Sequence, residues 1–178
     1  MNFQLISQWV ILNWLGKGKE ALAYIDKAIQ LDPRFLDIKL GLKGQAYFVL
    51  GDYEKAVESI QRCLTLNPEL GPYAAYAAAS FVFLDRIEEA ENALKIFLET
   101  FRKEIVPTTE LLYYLYPFED TKIFDHLVDG LVKAGFEGDP SDYHKVKKEN
   151  RLSGQAIREL LFGKTALEIG RASCRERV

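Results

Sequence analysis

Few residues of this chain have the type and spacing to do chemistry. Gly163, Lys164 and Thr165 follow an apolar run and resemble the closing half of a phosphate-binding loop. That loop needs a first glycine five positions earlier, so that backbone amides can curl around the phosphates. Position 158 is Arg158, and a bulky residue there cannot open the nest of amides. His126 stands between Asp125 and Asp129, and carboxylates one helical turn apart can begin a metal site. All three fall opposite the apolar stripe of their helix, where charge is expected anyway, so a solvated face is the expectation. His144 sits among lysines with no partner in view. Cys63 occupies a small-residue position in a buried stripe, which favours packing over nucleophilic use. The tyrosines of "YYLYPF", Tyr113, Tyr114 and Tyr116, could form a recognition patch, but beside leucines at helical spacing they read as core. No zinc-protease, nucleophile-elbow or dinucleotide glycine pattern occurs. The expectation is a chain without catalytic residues, cofactor or metal.

The bulk composition agrees. With 178 residues, 48% hydrophobic and 28% charged, the chain has an ordinary globular composition for one domain or a short repeat array. Its net charge is −3, and setting aside the terminal Arg171, Arg175, Arg177 and Glu176 leaves −5. That argues against a nucleic-acid partner, which wants a concentrated basic patch. The longest apolar run, about 73–84, is too short for membrane insertion. No basic region precedes the apolar start, so no signal peptide is read. Apart from Cys174 only Cys63 is present, so no disulfide framework is expected. A cytoplasmic setting fits these features.

A repeat organises the first hundred residues. Leu15, Gly16, Ala21, Ile25, Leu31 and Pro33 recur as Leu50, Gly51, Ala56, Ile60, Leu66 and Pro68. A third copy aligns Leu84 and Ala90 but has Asp85 in place of the turn glycine and lacks the closing proline. Each copy reads as two antiparallel helices. Glycine ends the first helix in a left-handed residue, a small alanine allows close approach, and proline stops the second. Such a pair cannot bury both faces alone, so neighbours must stack. The pattern resembles the tetratricopeptide repeat (TPR) family over about residues 2–102. Leu40, Gly44, Tyr47, Gly51, Tyr53, Ala56, Ile60 and Pro68 fall on the family's signature positions. Lys43 and Trp9 depart from it, and the tryptophan leaves room for a splayed first pair. The resemblance implies an all-α fold, an α-solenoid of antiparallel helix pairs with three TPR-like repeats at 2–102. A degenerate helical pair at 103–136 would cap it, with an apolar face of Ile123, Phe124, Leu127, Val128, Leu131 and Val132 and a stop at Gly135.

Beyond this lies a polar linker at 137–151, then the start of a truncated C-terminal element at 152–167, with Ser153 as its N-cap. Residues 169–178, "IGRASCRERV", resemble the translation of a sequencing-library adapter, so 168–178 is expected to be an artefact. The stretch 72–165 resembles the C-terminal TPR region of bacterial class III adenylate/guanylate cyclases. The resemblance rests on Pro117, Phe118, Asp120, Leu127, Gly130, Leu131, Lys133, Ala134 and Gly135. It implies a regulatory, non-catalytic fragment of a signalling protein. The alternatives are a free-standing scaffold for an apolar peptide or helix, or the repeat part of a transcriptional regulator.

In this family the first helix of each pair lines a concave groove. By resemblance the groove candidates are Ile6, Val10 and Asn13, then Gly41, Gln45 and Phe48, then Ala75, Ala79 and Val82. They are mostly apolar or small, without the lysine and arginine that clamp a terminal carboxylate in the family's chaperone-tail binders. The expected partner is a protein or peptide segment in that groove, supplied in cis or by another chain, with self-association as a further expectation. Phe48→Glu is expected to abolish binding while leaving helicity intact.

Overall fold

A computed structural model describes residues 3–100 and 108–137, with side chains described from Trp9 onward apart from Glu110. Readings that concern the linker, the 152–167 element, His144 and the 168–178 tail therefore lie outside the described residues.

Eight α-helices are described: α1 Phe3–Trp14, α2 Gly18–Leu31, α3 Leu36–Val49, α4 Tyr53–Leu66, α5 Ala74–Phe83, α6 Ile87–Glu99, α7 Thr109–Leu115 and α8 Thr121–Lys133. A 3-10 turn, Pro68–Tyr73, leads into α5. The first six helices form three consecutive pairs, and each second helix also packs on the first helix of the next pair. This is an α-solenoid of antiparallel pairs, as the repeat implies.

The pairs turn on one local device. The amides of Lys17, Asp52 and Arg86 donate back to the carbonyls of Leu12, Tyr47 and Phe81 at 2.9, 3.0 and 2.9 Å. Each closes a helix end around a left-handed residue. That residue is Gly16 at φ +72° and Gly51 at φ +75° in the first two pairs, and Asp85 at φ +57° in the third. The geometry thus survives loss of the glycine, at the steric cost a side chain incurs in the left-handed region. Asp85→Gly should stabilise the fold by about 0.5 kcal/mol, the relief of that clash exceeding the added freedom of the unfolded chain. A lower urea midpoint in the variant would contradict this.

Within pairs, the small signature residues set the helix spacing. A Cβ on Gly44 would stand 2.4 Å from Ile60 Cγ1 and 3.1 Å from the Ala56 carbonyl, so α3 and α4 touch through bare backbone. Ala21, Ala56 and Ala90 are fully buried, as is Cys63. Burial, with the Asp37 charge adding to it, pushes the Cys63 thiol up to about 12, and a group so held is not a nucleophile at neutral pH.

Both departures from the repeat have physical reasons. Lys43 spans the layers, its Nζ 2.6 Å from Asp26 of α2, with its cation near the Tyr47 ring. Trp9 is buried among Ala21, Ile25, Leu42 and Ala46, filling the space between α1 and its neighbours. The α1–α2 pair meets over a shorter stretch than α3–α4. Lys39, also buried, donates through Nζ to the carbonyls of Asp32, Ala28 and Arg34. Its cation therefore sits where the α2 dipole is negative.

Candidate functional site

The face built by α1, α3 and α5 is the place where the candidate residues gather. Ile6 lies outside the described side chains, and Val10 is half-buried beside the Trp9 cluster. Asn13, Gly41, Gln45, Phe48, Ala75, Ala79 and Val82 are all buried. Gly41 is covered by the Tyr73 ring, which a Cβ there would meet at 2.6 Å.

Polar groups on this face form a ladder across the three layers. Asn13 Nδ2 donates to the Leu42 carbonyl at 3.0 Å and to Gln45 Oε1 at 3.3 Å. Gln45 Nε2 donates to Tyr76 Oη at 2.8 Å. Asn13 Oδ1 is buried without a hydrogen-bond partner. Buried polar atoms of this kind are rare and costly.

What covers this face is the chain itself. After α7, Tyr116 packs edge-on against Tyr76 at 5.1 Å and donates to the Pro72 carbonyl at 2.7 Å. Phe118 also meets Tyr76 edge-on, and the Glu119 amide donates to the Trp14 carbonyl at 2.8 Å. α8 then starts from Asp120, whose carboxylate accepts from the Lys122 amide at 2.9 Å. Such an N-cap satisfies one of the orphan amides of the first turn.

α8 lies against α5 above all, and it touches the other layers at their ends. Ile123 approaches Gly16, so that a Cβ there would be 3.2 Å from its Cδ1. A Cβ on Gly130 would stand 2.6 Å from Ala79 Cβ and 3.2 Å from Phe83. Phe124, Leu127, Val128 and Leu131 are completely buried. Gly135, at φ +103°, ends the helix by the same device as the first helices, with Phe136 donating to Leu131 at 2.9 Å.

His126 is not on a solvated face. Its ring stacks on Phe83, with centroids 3.9 Å apart and planes 5° from parallel. Its Nε2 shares a 2.7 Å hydrogen bond with Tyr53 Oη, and Phe48 lies 5.9 Å away. Burial lowers the His126 pKa below its usual 6.5; Asp129 works in the opposite direction, and Lys133 reinforces the lowering. Lost hydration thus outweighs whatever a charged ring would gain over Phe83. The folded state therefore prefers the neutral ring. The stability this contact contributes is complete above about pH 6.5 and is lost as pH falls through the lowered folded value. The groups that face it are Tyr53 on α4 and Asp129 and Lys133 on α8 itself. Between pH 7.5 and 5.5, the wild type should lose stability relative to His126→Phe, which keeps the stack and cannot protonate. Parallel urea midpoints across that range would refute it.

The tyrosine run divides. Tyr116 and Phe118 are buried, while Tyr114 is 79% exposed. A separate open hollow of about 540 Å³ lies by Leu64, Pro68, Glu69, Ile96, Glu99 and Thr100, and those residues include neither a histidine nor a thiol. Among the described residues no group of three histidines, cysteines or carboxylates is placed to hold a metal ion, and no helix is long and apolar enough to cross a membrane.

Stacked helix pairs, small residues at the pair contacts and a shared turn define the class: a TPR-like α-solenoid. Residues 40–70, most of α3, all of α4 and the start of the 3-10 turn, match the family model of the tetratricopeptide repeat, so the chain carries tetratricopeptide-repeat sequence. It is also 30% identical over 140 residues to a TPR repeat-containing protein of Methanocaldococcus jannaschii. That match takes in 78% of this chain and 22% of the relative's length.

Proposed function

We propose that this chain is a protein–protein interaction module that does no chemistry of its own and acts by receiving a helical segment on the face of α1, α3 and α5. The observation that carries this reading is the seating of α8: an amphipathic helix packs its apolar stripe against α5 and touches α1 and α3 at their ends. The repeat match at 40–70 supports it, since stacked pairs present their first helices as an extended binding surface.

The test is a screen of 20-residue amphipathic peptides against the full chain, followed by amide NMR titration of the binders. Peptides that use the proposed face shift resonances in α3, α5 and α8. Binders that shift only α2 and α6 place the binding surface elsewhere, and the reading fails.

The larger polypeptide we propose is a bacterial signalling protein of the class III cyclase type, in which the repeats regulate a catalytic domain in cis. Support comes from the resemblance of 72–165, carried by Pro117, Phe118, Asp120 and the Leu127–Gly135 run. Long-read sequencing of the locus tests it: an in-frame cyclase domain upstream supports the proposal, and a start codon with its own promoter at Met1 refutes it. In the latter case the chain is a free-standing scaffold, which is the second reading.

A further inference from the structure

Three features of the α8 contact specify more than a generic apolar docking. First, Gly130 allows backbone-close approach to α5: any side chain there would meet Ala79 Cβ at 2.6 Å and Ala79 Cα at 2.8 Å. Second, one turn earlier His126 fills the aromatic gap between Tyr53, Phe83 and Phe48. Third, one polar group of this face is left without a partner. The Trp14 carbonyl takes a bond from Glu119, while neighbouring Asn13 keeps Oδ1 buried and unpartnered. The face is therefore shaped for a helix with a definite pattern, and the resident helix leaves one of its polar groups unused.

Resting on the module reading above, we propose that α8 is a competitive stand-in for the partner, and that the partner is an amphipathic helix of the same pattern which displaces it. The partner carries two adjacent apolar residues, a second apolar couple four positions later, and a glycine or other small residue six positions after the second residue of the first couple. In α8 these are Ile123 and Phe124, Leu127 and Val128, and Gly130. A hydrogen-bond donor near its N-terminal end, set against Asn13 Oδ1, gives it an advantage that α8 lacks. In the isolated chain α8 keeps the site closed, so the apparent affinity for a partner is reduced by the fraction of time the site is open.

The test uses the full chain and a synthetic peptide of residues 116–136. Against the wild type the peptide should bind weakly. Against full-length Gly130→Leu, whose own helix cannot seat, it should bind at least about ten-fold tighter, because overpacking lifts the resident helix and leaves the receiving residues intact. A peptide carrying the same Gly130→Leu change should bind neither chain. Equal binding to both chains, with circular dichroism showing the variant folded, overturns the proposal. If the variant does not fold, hydrogen exchange on the isotope-labelled wild type decides. Saturating unlabelled peptide should speed exchange of the chain's own α8 amides, and unchanged protection overturns the proposal. Should this peptide fail while other amphipathic peptides shift α3 and α5, the displacement idea falls and the module reading stands. Should nothing shift that face, both fall.

Discussion

Phe48→Glu should leave little folded protein. On sequence alone this substitution reads as a clean test of a binding groove, expected to spare the helices. The structure places Phe48 at 2% exposure, edge-on to Tyr76 at 5.4 Å and near both Tyr53 and His126. Removing a buried phenylalanine costs about 3–5 kcal/mol. Forcing a carboxylate into the same space adds several more, since an unpaired buried charge keeps little of its hydration energy. Set against a total stability of about 5–15 kcal/mol, the sum consumes most of the fold. Loss of most far-ultraviolet helical signal at 25 °C is the expected result. A variant that melts cooperatively within a few degrees of wild type would mean that Phe48 faces solvent in the working protein.

Phe124→Ala should cost about 3–5 kcal/mol as well, with the loss felt first in α8. Phe124 is fully buried and meets Tyr113 edge-on at 5.8 Å, so the cavity opens beneath the resident helix and not inside the three pairs. Native-state hydrogen exchange should show α8 amides losing protection while those of α3 and α4 keep theirs, since opening free energies differ between cooperative units. Uniform loss across all helices would show instead that α8 and the pairs open together.

The three pairs were legible because their signals are local and repeated. Gly44, Ala56, Ala90 and Cys63 announce close helix contact by being small at fixed spacing, and the structure buries each of them. The stripe of Phe124, Leu127, Val128 and Leu131 likewise announces a buried face. What it does not announce is the surface that buries it. An amphipathic period states that one side leaves water and says nothing about its counterpart. That is why His126 reads as solvent-facing in the sequence: it lies off the stripe of its own helix, and Phe83, Tyr53 and Phe48, far away in sequence, enclose it. The paired Lys43 and the left-handed Asp85 belong to the same class, being odd residues in a pattern whose compensation comes from elsewhere, Asp26 in one case and the demands of a shared turn in the other.

The hydrogen bond from Glu119 to Trp14 ties the strap that crosses the inner face to the first layer, while Gly130 ties the same strap to the third. A linear stack of repeats can fray from either end, each layer answering only to its neighbour. A strap fastened at both ends removes that freedom, and it cannot be fastened until every layer it crosses is present. Its contacts are also the most distant in sequence, the kind that close late and slowly. The protein should therefore assemble as an open array first and lock afterwards, and during that interval its receiving face is bare.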